Sequence, residues 1–388
     1  MKIKRNKIIR PVPELKMPIS FPGTGWILMF IFTSISSFSQ SDSLEKNKRE
    51  LNFVAYSDFF YAWDFNQPKG EKRQDYFYNY NLHNTFYLNQ AFVGFEYNAQ
   101  KFHSKFIVQG GSYVDQNYAS EPDGLKNIAE AYLGFSLGKN NKWNIDAGIF
   151  SSHIGFENTV SFDNLTLTRS LCAENSPYFE SGLRLKYSAN ERLDVVGLVL
   201  NGWQNIQTKG MKDRISGGTQ INWRPFSVLE FNWSTFFGQV DSSMRYFSNV
   251  YGKTSLGKKL KLIAGFDIGV QSDKGKIIRP AAWYSPVIIM QYAFSERYTT
   301  GLRFERYSDP GGKILGVQDI HIHSISANMD FKPSDSFIFR MEIRYFINKN
   351  ADVFKRQNDL VRDDLLLTTG IAYRFQSSRK LPEKRIKL

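Results

Sequence analysis

From residue 51 onward the chain alternates. Trp143, Ile145, Ala147 and Ile149 fall on one face of an extended segment, with Asn144, Asp146 and Gly148 on the other. Forty residues later Leu183, Leu185 and Tyr187 oppose Gly182, Arg184 and Lys186. Side chains on a strand alternate at period two, so each flank has an apolar face and a polar, partly charged face. The stretch between them is polar and rich in Asn, Ser and Thr, which makes it a loop. A hairpin with an apolar outside, a charged inside and a large loop at one end is the repeating unit of a transmembrane β-barrel.

The unit repeats along the whole chain. Alternation predicts strands over 51–66, 85–97, 102–113, 128–137, 143–155, 177–187, 193–200 and 214–224 in the first half. It predicts a second set over 229–237, 244–253, 260–271, 283–294, 298–306, 322–331, 337–345 and 365–375. The set makes about 16 strands, an even number as single-chain bacterial barrels have. The seventh, tenth and twelfth are weakly patterned, so the alternation admits 14 to 18. Pro286 removes a ladder donor, so the twelfth strand is expected to start later or to bulge there. Connections after odd-numbered strands read as long and polar, apart from a short one after the ninth; those after even-numbered strands are short. That asymmetry is expected of a barrel whose short turns face the periplasm and whose long loops face outside. The fold class that follows is all-β: a transmembrane antiparallel up-and-down barrel with both termini on the periplasmic side.

Composition fits this reading. The mean hydropathy is -0.38 and no apolar run reaches the roughly 18 residues of a membrane helix. Barrel strands are apolar on alternate residues only, so they average to polar. Lys2, Lys4, Arg5, Lys7, Arg10 and Lys16 precede a short apolar core, 26–32, and then Ser37, Phe38, Ser39 and Gln40. This is the form of a secretory signal, assigned to 1–39, with Met17 as an alternative start. A periplasmic segment over 40–50, the barrel over 51–375 and a basic disordered tail over 376–388 complete the expected organisation. The formal charge of +13 becomes +8 once the six cations and single acid of 1–39 are removed. The basic residues alternate with apolar ones inside strands and do not form a patch, which argues against nucleic acid. Cys172 is the one cysteine, so neither a disulfide nor a cysteine metal framework is available.

Trp143, Tyr187, Trp223, Phe337, Tyr373 and Phe375 stand at strand ends beside short turns, where an interfacial aromatic belt belongs. The inward charges Arg184, Lys186, Arg303, Glu305, Arg340, Glu342, Arg344 and Arg374 are candidates for lining a pore. Such charges set ion selectivity, or they serve only to satisfy one another on the wall. Loop 157–175 is the expected constriction, with Asp163, Arg169 and Glu174 as its charged members.

Catalytic signals are thin. Ser152 and His153 with Glu157 and Asp163 nearby admit a hydrolase, but a neighbouring Ser-His pair cannot aim at itself as a triad does. His321 and His323 have a spacing that two strand ligands to zinc could use, without an evident third. No cofactor is expected.

The segments IFSSHIGFENTVSFDNLTLTRSLCAENSPYFESGLRLKY, VQGGSYVDQNYASEP with KNIAEAYLG, and LNGWQNIQ resemble the OmpL-like β-barrel porin family of Gram-negative outer membranes. The likeness is closest over the first half of the mature chain and is one of pattern in the second. It implies a pore in the outer membrane, without fixing the solute. The expected function is passive diffusion of small hydrophilic solutes and ions with a mild anion preference. A substrate-specific transporter or binding barrel is the alternative, ahead of an outer-membrane hydrolase. The expected partners are outer-membrane lipid, the barrel assembly machinery and the permeating solutes; a homo-oligomer is compatible with all of these.

Overall fold

Period-two patterning becomes strands throughout the computed structural model, which describes residues 49–208, 215–273 and 276–381. The strands are β1 (Arg49–Asp64), β2 (Phe86–Asn98), β3 (Phe102–Gly110), β4 (Ile128–Leu137), β5 (Trp143–Ser151) and β6 (Phe179–Asn190). They continue with β7 (Leu193–Leu200), β8 (Ser216–Phe226), β9 (Leu229–Val240), β10 (Ser243–Leu256), β11 (Leu260–Asp273) and β12 (Lys276–Ala293). The last are β13 (Tyr298–Asp309), β14 (Ile320–Ser334), β15 (Phe337–Asn348), the short β16 (Phe354–Arg356) and β17 (Asp359–Val361), and β18 (Asp363–Leu381). Sixteen of them close an antiparallel barrel in sequence order, with β18 between β15 and β1. β16 and β17 form a separate small hairpin inside the last long loop. Two short helices, α1 (Ser112–Asn117) and α2 (Leu171–Glu174), lie in long connections.

Several expected boundaries move. The third strand ends at Gly110, and α1 occupies part of the stretch assigned to it. β11 and β12 run on to Asp273 and Lys276, so the connection after the eleventh strand is short, not long. The sequence over 272–282 does not alternate in polarity, so it carries no strand signal of its own. β12 also neither starts at Pro286 nor bulges there: it pairs with β11 through Pro286 opposite Phe266. Only its ladder to β13 is interrupted, between Tyr284 and Val287, and Ser285 Oγ donates to the Arg306 carbonyl at 2.9 Å in the gap. β1 begins at Arg49 and pairs with β18 as far as Leu381, so residues 376–381 of the expected tail are strand. The targeting segment 1–39 and residues 382–388 lie outside the described residues.

Outward rows carry the apolar residues, as in Phe231, Trp233 and Phe237 on β9 or Phe337, Phe339, Met341 and Ile343 on β15, all exposed. Trp143 and Tyr187 face each other across β5 and β6 with ring centroids 4.5 Å apart. The interior is divided. Inward positions of β7, β9, β10 and β12 contribute Val196, Leu198, Leu200, Phe236, Phe247, Trp283, Val287 and Ile289, buried in one apolar cluster. Ile154, Phe156, Leu171 and Cys172 of the connection between β5 and β6 complete that cluster from inside. Strand seven patterns weakly for this reason, since both of its faces are covered by apolar matter.

Candidate functional site: a segment across the barrel interior

Residues 152–178 leave β5 and return at β6, and between these points they reach the opposite wall. β5 and β13 are eight steps apart in either direction around a ring of sixteen, so a contact between them spans the diameter.

The root is fixed first. Buried His153 places Nδ1 2.8 Å from Glu180 Oε2 on β6 and Nε2 2.8 Å from the Thr235 carbonyl on β9. A carbonyl only accepts, so Nε2 carries a proton, and the His153–Glu180 pair shares another. Gln220 and Ser234 donate to the His153 carbonyl. Gly218 leaves room for the ring: a Cβ there would lie 2.7 Å from His153 Nε2. Gly265 does the same for Phe156, whose Cε1 would be 2.2 Å from a Cβ.

The tip docks on β13, β14 and β15. Glu342 accepts from Thr168 N and Thr168 Oγ1, both at 2.7 Å. Arg303 donates to the Thr168 carbonyl at 2.6 Å and Thr166 Oγ1 at 3.1 Å, and pairs with Glu342 at 2.6 Å. Arg344 donates to the Arg169 carbonyl at 2.7 Å and pairs with Glu305. Glu305 also accepts from Leu171 N at 2.7 Å, and Asn328 Oδ1 accepts from Leu167 N at 3.0 Å. Arg340, paired with Asp330 at 2.7 Å, donates to the carbonyls of Ser161 and Asn164. Charged groups removed from water need partners for each of their hydrogen-bonding positions, and the segment's backbone supplies many of them.

Further contacts hold the edges. Arg374 on β18 meets Asp163 Oδ1 at 2.6 Å. Arg169 turns back on its own segment, donating to the carbonyls of Asn158 and Leu167 at 2.7 Å and of Thr159. Glu174 accepts from Tyr78 N, Asn79 N and Asn79 Nδ2 of the first long loop, at 2.8 to 3.1 Å. Burial nonetheless pushes its carboxyl up to about 7.

The expected pore-lining charges therefore fall into two groups. Arg303, Glu305, Arg340, Glu342 and Arg344 face inward but are buried under the tip, with relative exposures from 0 to 6%. Arg184, paired with Asp146 at 2.8 Å, Lys186 near Asp194, and Arg374 keep accessible surface. Sequence reading missed His153 with Glu180, and Thr168 with Asn328 and Asp330, as anchors. The available signal was the run of polar residues at alternate positions of β14, Ser324, Ser326, Asn328 and Asp330.

Below the segment, toward the short turns, lies a cavity of about 610 Å³ whose lining includes Glu157, Asp163, Arg192, Arg224, Lys253 and Lys261. A second, of about 260 Å³, lies against β2–β4, with Gln90, Glu96, Lys105, Gln109, Glu130 and Arg374 among its lining residues. Asp163 borders both.

The catalytic alternatives find no assembled site. Ser152 Oγ accepts from Ile154 N, while His153 turns to Glu180 and Thr235. His321 is within 3.0 Å of Ser308 Oγ, and among the described residues no three metal-ligating side chains converge.

A closed sixteen-stranded barrel with an apolar exterior, a charged interior and a segment folded across it is a porin-type outer-membrane barrel. The family described as "Putative beta-barrel porin-2, OmpL-like" matches residues 50–375, and the chain belongs to that family. No curated protein sequence matches it. Among solved structures it resembles the anion-selective porin from Comamonas acidovorans at 11% identity and TM-score 0.58, over 84% of this chain and 100% of that one. It resembles Salmonella typhi OmpF in complex with daunomycin at 11% identity and TM-score 0.59, over 84% and 97%. The Vibrio cholerae outer membrane protein OmpT, in its trimer form, aligns at 9% identity and TM-score 0.58, over 84% and 99%. At these identities the likeness is one of fold.

Proposed function

We propose that the chain forms a water-filled channel for passive diffusion of small hydrophilic solutes and ions, with loop 157–175 as its constriction and no covalent chemistry. The observation that carries this is the segment joining β5 to the β13–β15 wall, because a partition anchored on both sides of a lumen sets its free cross-section. In this reading Asp163 and Arg374 stand at the margin of the remaining opening, and Arg169 and Glu174 brace the segment. Arg303, Glu305, Arg340, Glu342 and Arg344 hold the partition in place, and Arg184 and Lys186 face the vestibule. Lys253, Lys261, Arg192 and Arg224 line the larger cavity with Glu157, Asp163, Glu191 and Glu230. Four cations face four acids in that lining, so the anion preference is mild. Lipid covers the exterior, the barrel assembly machinery inserts the chain, and a homo-oligomer fits the fold.

Single-channel recording of the refolded mature protein in a planar bilayer under a salt gradient tests the proposal. Stable open steps with a small anion-side reversal potential are expected. A folded, heat-modifiable barrel that never conducts would overturn it. A saturable block by one solute would favour the specific transporter.

A further inference from the structure

The outward rows of the described barrel strands are almost free of charge. Following the register pair by pair around the ring, the lipid-side positions carry Arg49 and Arg379 at the short-turn end and Arg306 and Asp363 at the long-loop end. The strand interiors between these ends present apolar residues, glycines, hydroxyls and amides. A charge facing lipid is costly unless it reaches an interface, so an outward cation that persists calls for an anionic partner.

Arg306 does not stand alone. Across β13 and β14, His323 lies directly opposite Arg306 and His321 directly opposite Ser308. Opposed residues hold their Cβ atoms about 5 Å apart. Lys349 follows the end of β15 on the same side, and the charged groups acting on His323 are Arg306, Lys349 and His321. None is a carboxylate. Among the described residues no acid pairs with Arg306, its Nε is buried without a hydrogen-bond partner, and its guanidinium lies 5.4 Å from the Tyr284 ring centroid. Asp363 is occupied elsewhere, by Tyr345 and Arg356. Arg306 is three residues from the long-loop end of β13, one outward row below Tyr284 and one above Tyr345, where the outer headgroup region meets the hydrocarbon. Beneath it the exposed side chains of Phe304, Ile325 and Ile288 make an acyl-chain surface.

The geometry points to a binding site for a phosphate-bearing lipid headgroup of the outer leaflet, held by Arg306, His323 and Lys349, with its chains on Phe304 and Ile325. A lipid fits better than a free anion because the cations stand on the lipid face, directly above apolar wall. The site does not depend on the channel reading and stands or falls separately from it.

The test uses the mature protein refolded in detergent and native mass spectrometry. Phosphatidic acid is titrated against phosphatidylcholine of equal chain length. Each interfacial cation contributes about fivefold in affinity for an anionic lipid, so Arg306→Gln with Lys349→Gln should weaken phosphatidic acid binding about 25-fold. Phosphatidylcholine binding should be unchanged. Arg306→Lys should retain most of the affinity, and heat-modifiable migration verifies that each variant is folded. Equal phosphatidic acid binding by wild type and the double variant would overturn the inference. So would full displacement of the lipid by equimolar inorganic phosphate, which would make the patch a free-anion site.

Discussion

Arg303 is the cation on which the tip of the internal segment converges. It meets Thr166 Oγ1, both oxygens of Thr168, and Glu342, and lies 3.8 Å from Glu157. Arg303→Gln keeps much of the volume but leaves Glu342 and Glu157 buried without this counter-charge. Removing one partner of a buried ion pair costs about 3–5 kcal/mol, most of it the stranded charge. The barrel ladder is untouched, so the loss falls on docking of the tip. At about 1.4 kcal/mol per tenfold, the released population rises by roughly 10² to 4 × 10³. Two readouts follow. The amides of Leu167, Thr168 and Leu171 donate to wall side chains, and their hydrogen exchange should accelerate while strand amides stay protected. Single-channel steps should become larger and noisier. Adding Glu342→Gln removes the stranded charge, so the double variant should lie closer to wild type than Arg303→Gln does. Unchanged exchange at those amides together with unchanged conductance would refute the anchoring role. A double variant worse than the sum of its singles would refute the charge argument.

The root and the rear of the segment should loosen together as pH rises. Burial opposes the charge on His153, but the Glu180 carboxylate outweighs it and holds the imidazole above its ordinary value of 6.5. A raised histidine contributes fully below about pH 6.5 and less as pH climbs through its folded value. Glu174, raised by burial from 4.5 to about 7, binds its proton more tightly when folded, so its contribution also falls between those values. Current noise between about pH 5 and 9 should therefore increase with pH, and His153→Gln with Glu174→Gln should flatten the profile; a quieter channel at high pH contradicts this. Gly265→Ala drives a Cβ into Phe156 and should cost about 1–3 kcal/mol, read as faster exchange over 154–158. No change there would mean that Phe156 does not rest on β11. Tyr187→Ala removes the ring beside Trp143 and should lower stability in lipid vesicles by at least about 0.5–1.5 kcal/mol, measured by urea unfolding. Equal stability would remove Trp143 and Tyr187 from the interfacial belt.

The wall was legible because a bilayer imposes its chemistry residue by residue. Every strand position must be lipid-compatible on one side, so alternation alone marks β5, β6, β9, β11 and β15, and short turns mark one end. The seventh, tenth and twelfth strands were the faint ones. Val195–Leu200 reads as an apolar run without polar alternation, because the inward face of β7 there is covered by Ile154, Phe156 and their neighbours and never meets water. The sequence by itself determined the barrel, a strand number of about 16 and which residues point inward. Only the tertiary structure decided what the inward charges meet. Arg303 and Arg184 both point inward and carry the same side chain, yet one is sealed beneath Thr168 and the other stays half-open beside Asp146. That difference arises from a segment spanning eight strands of the ring, from β5 to β13, and period-two patterning carries no information about contacts across a diameter.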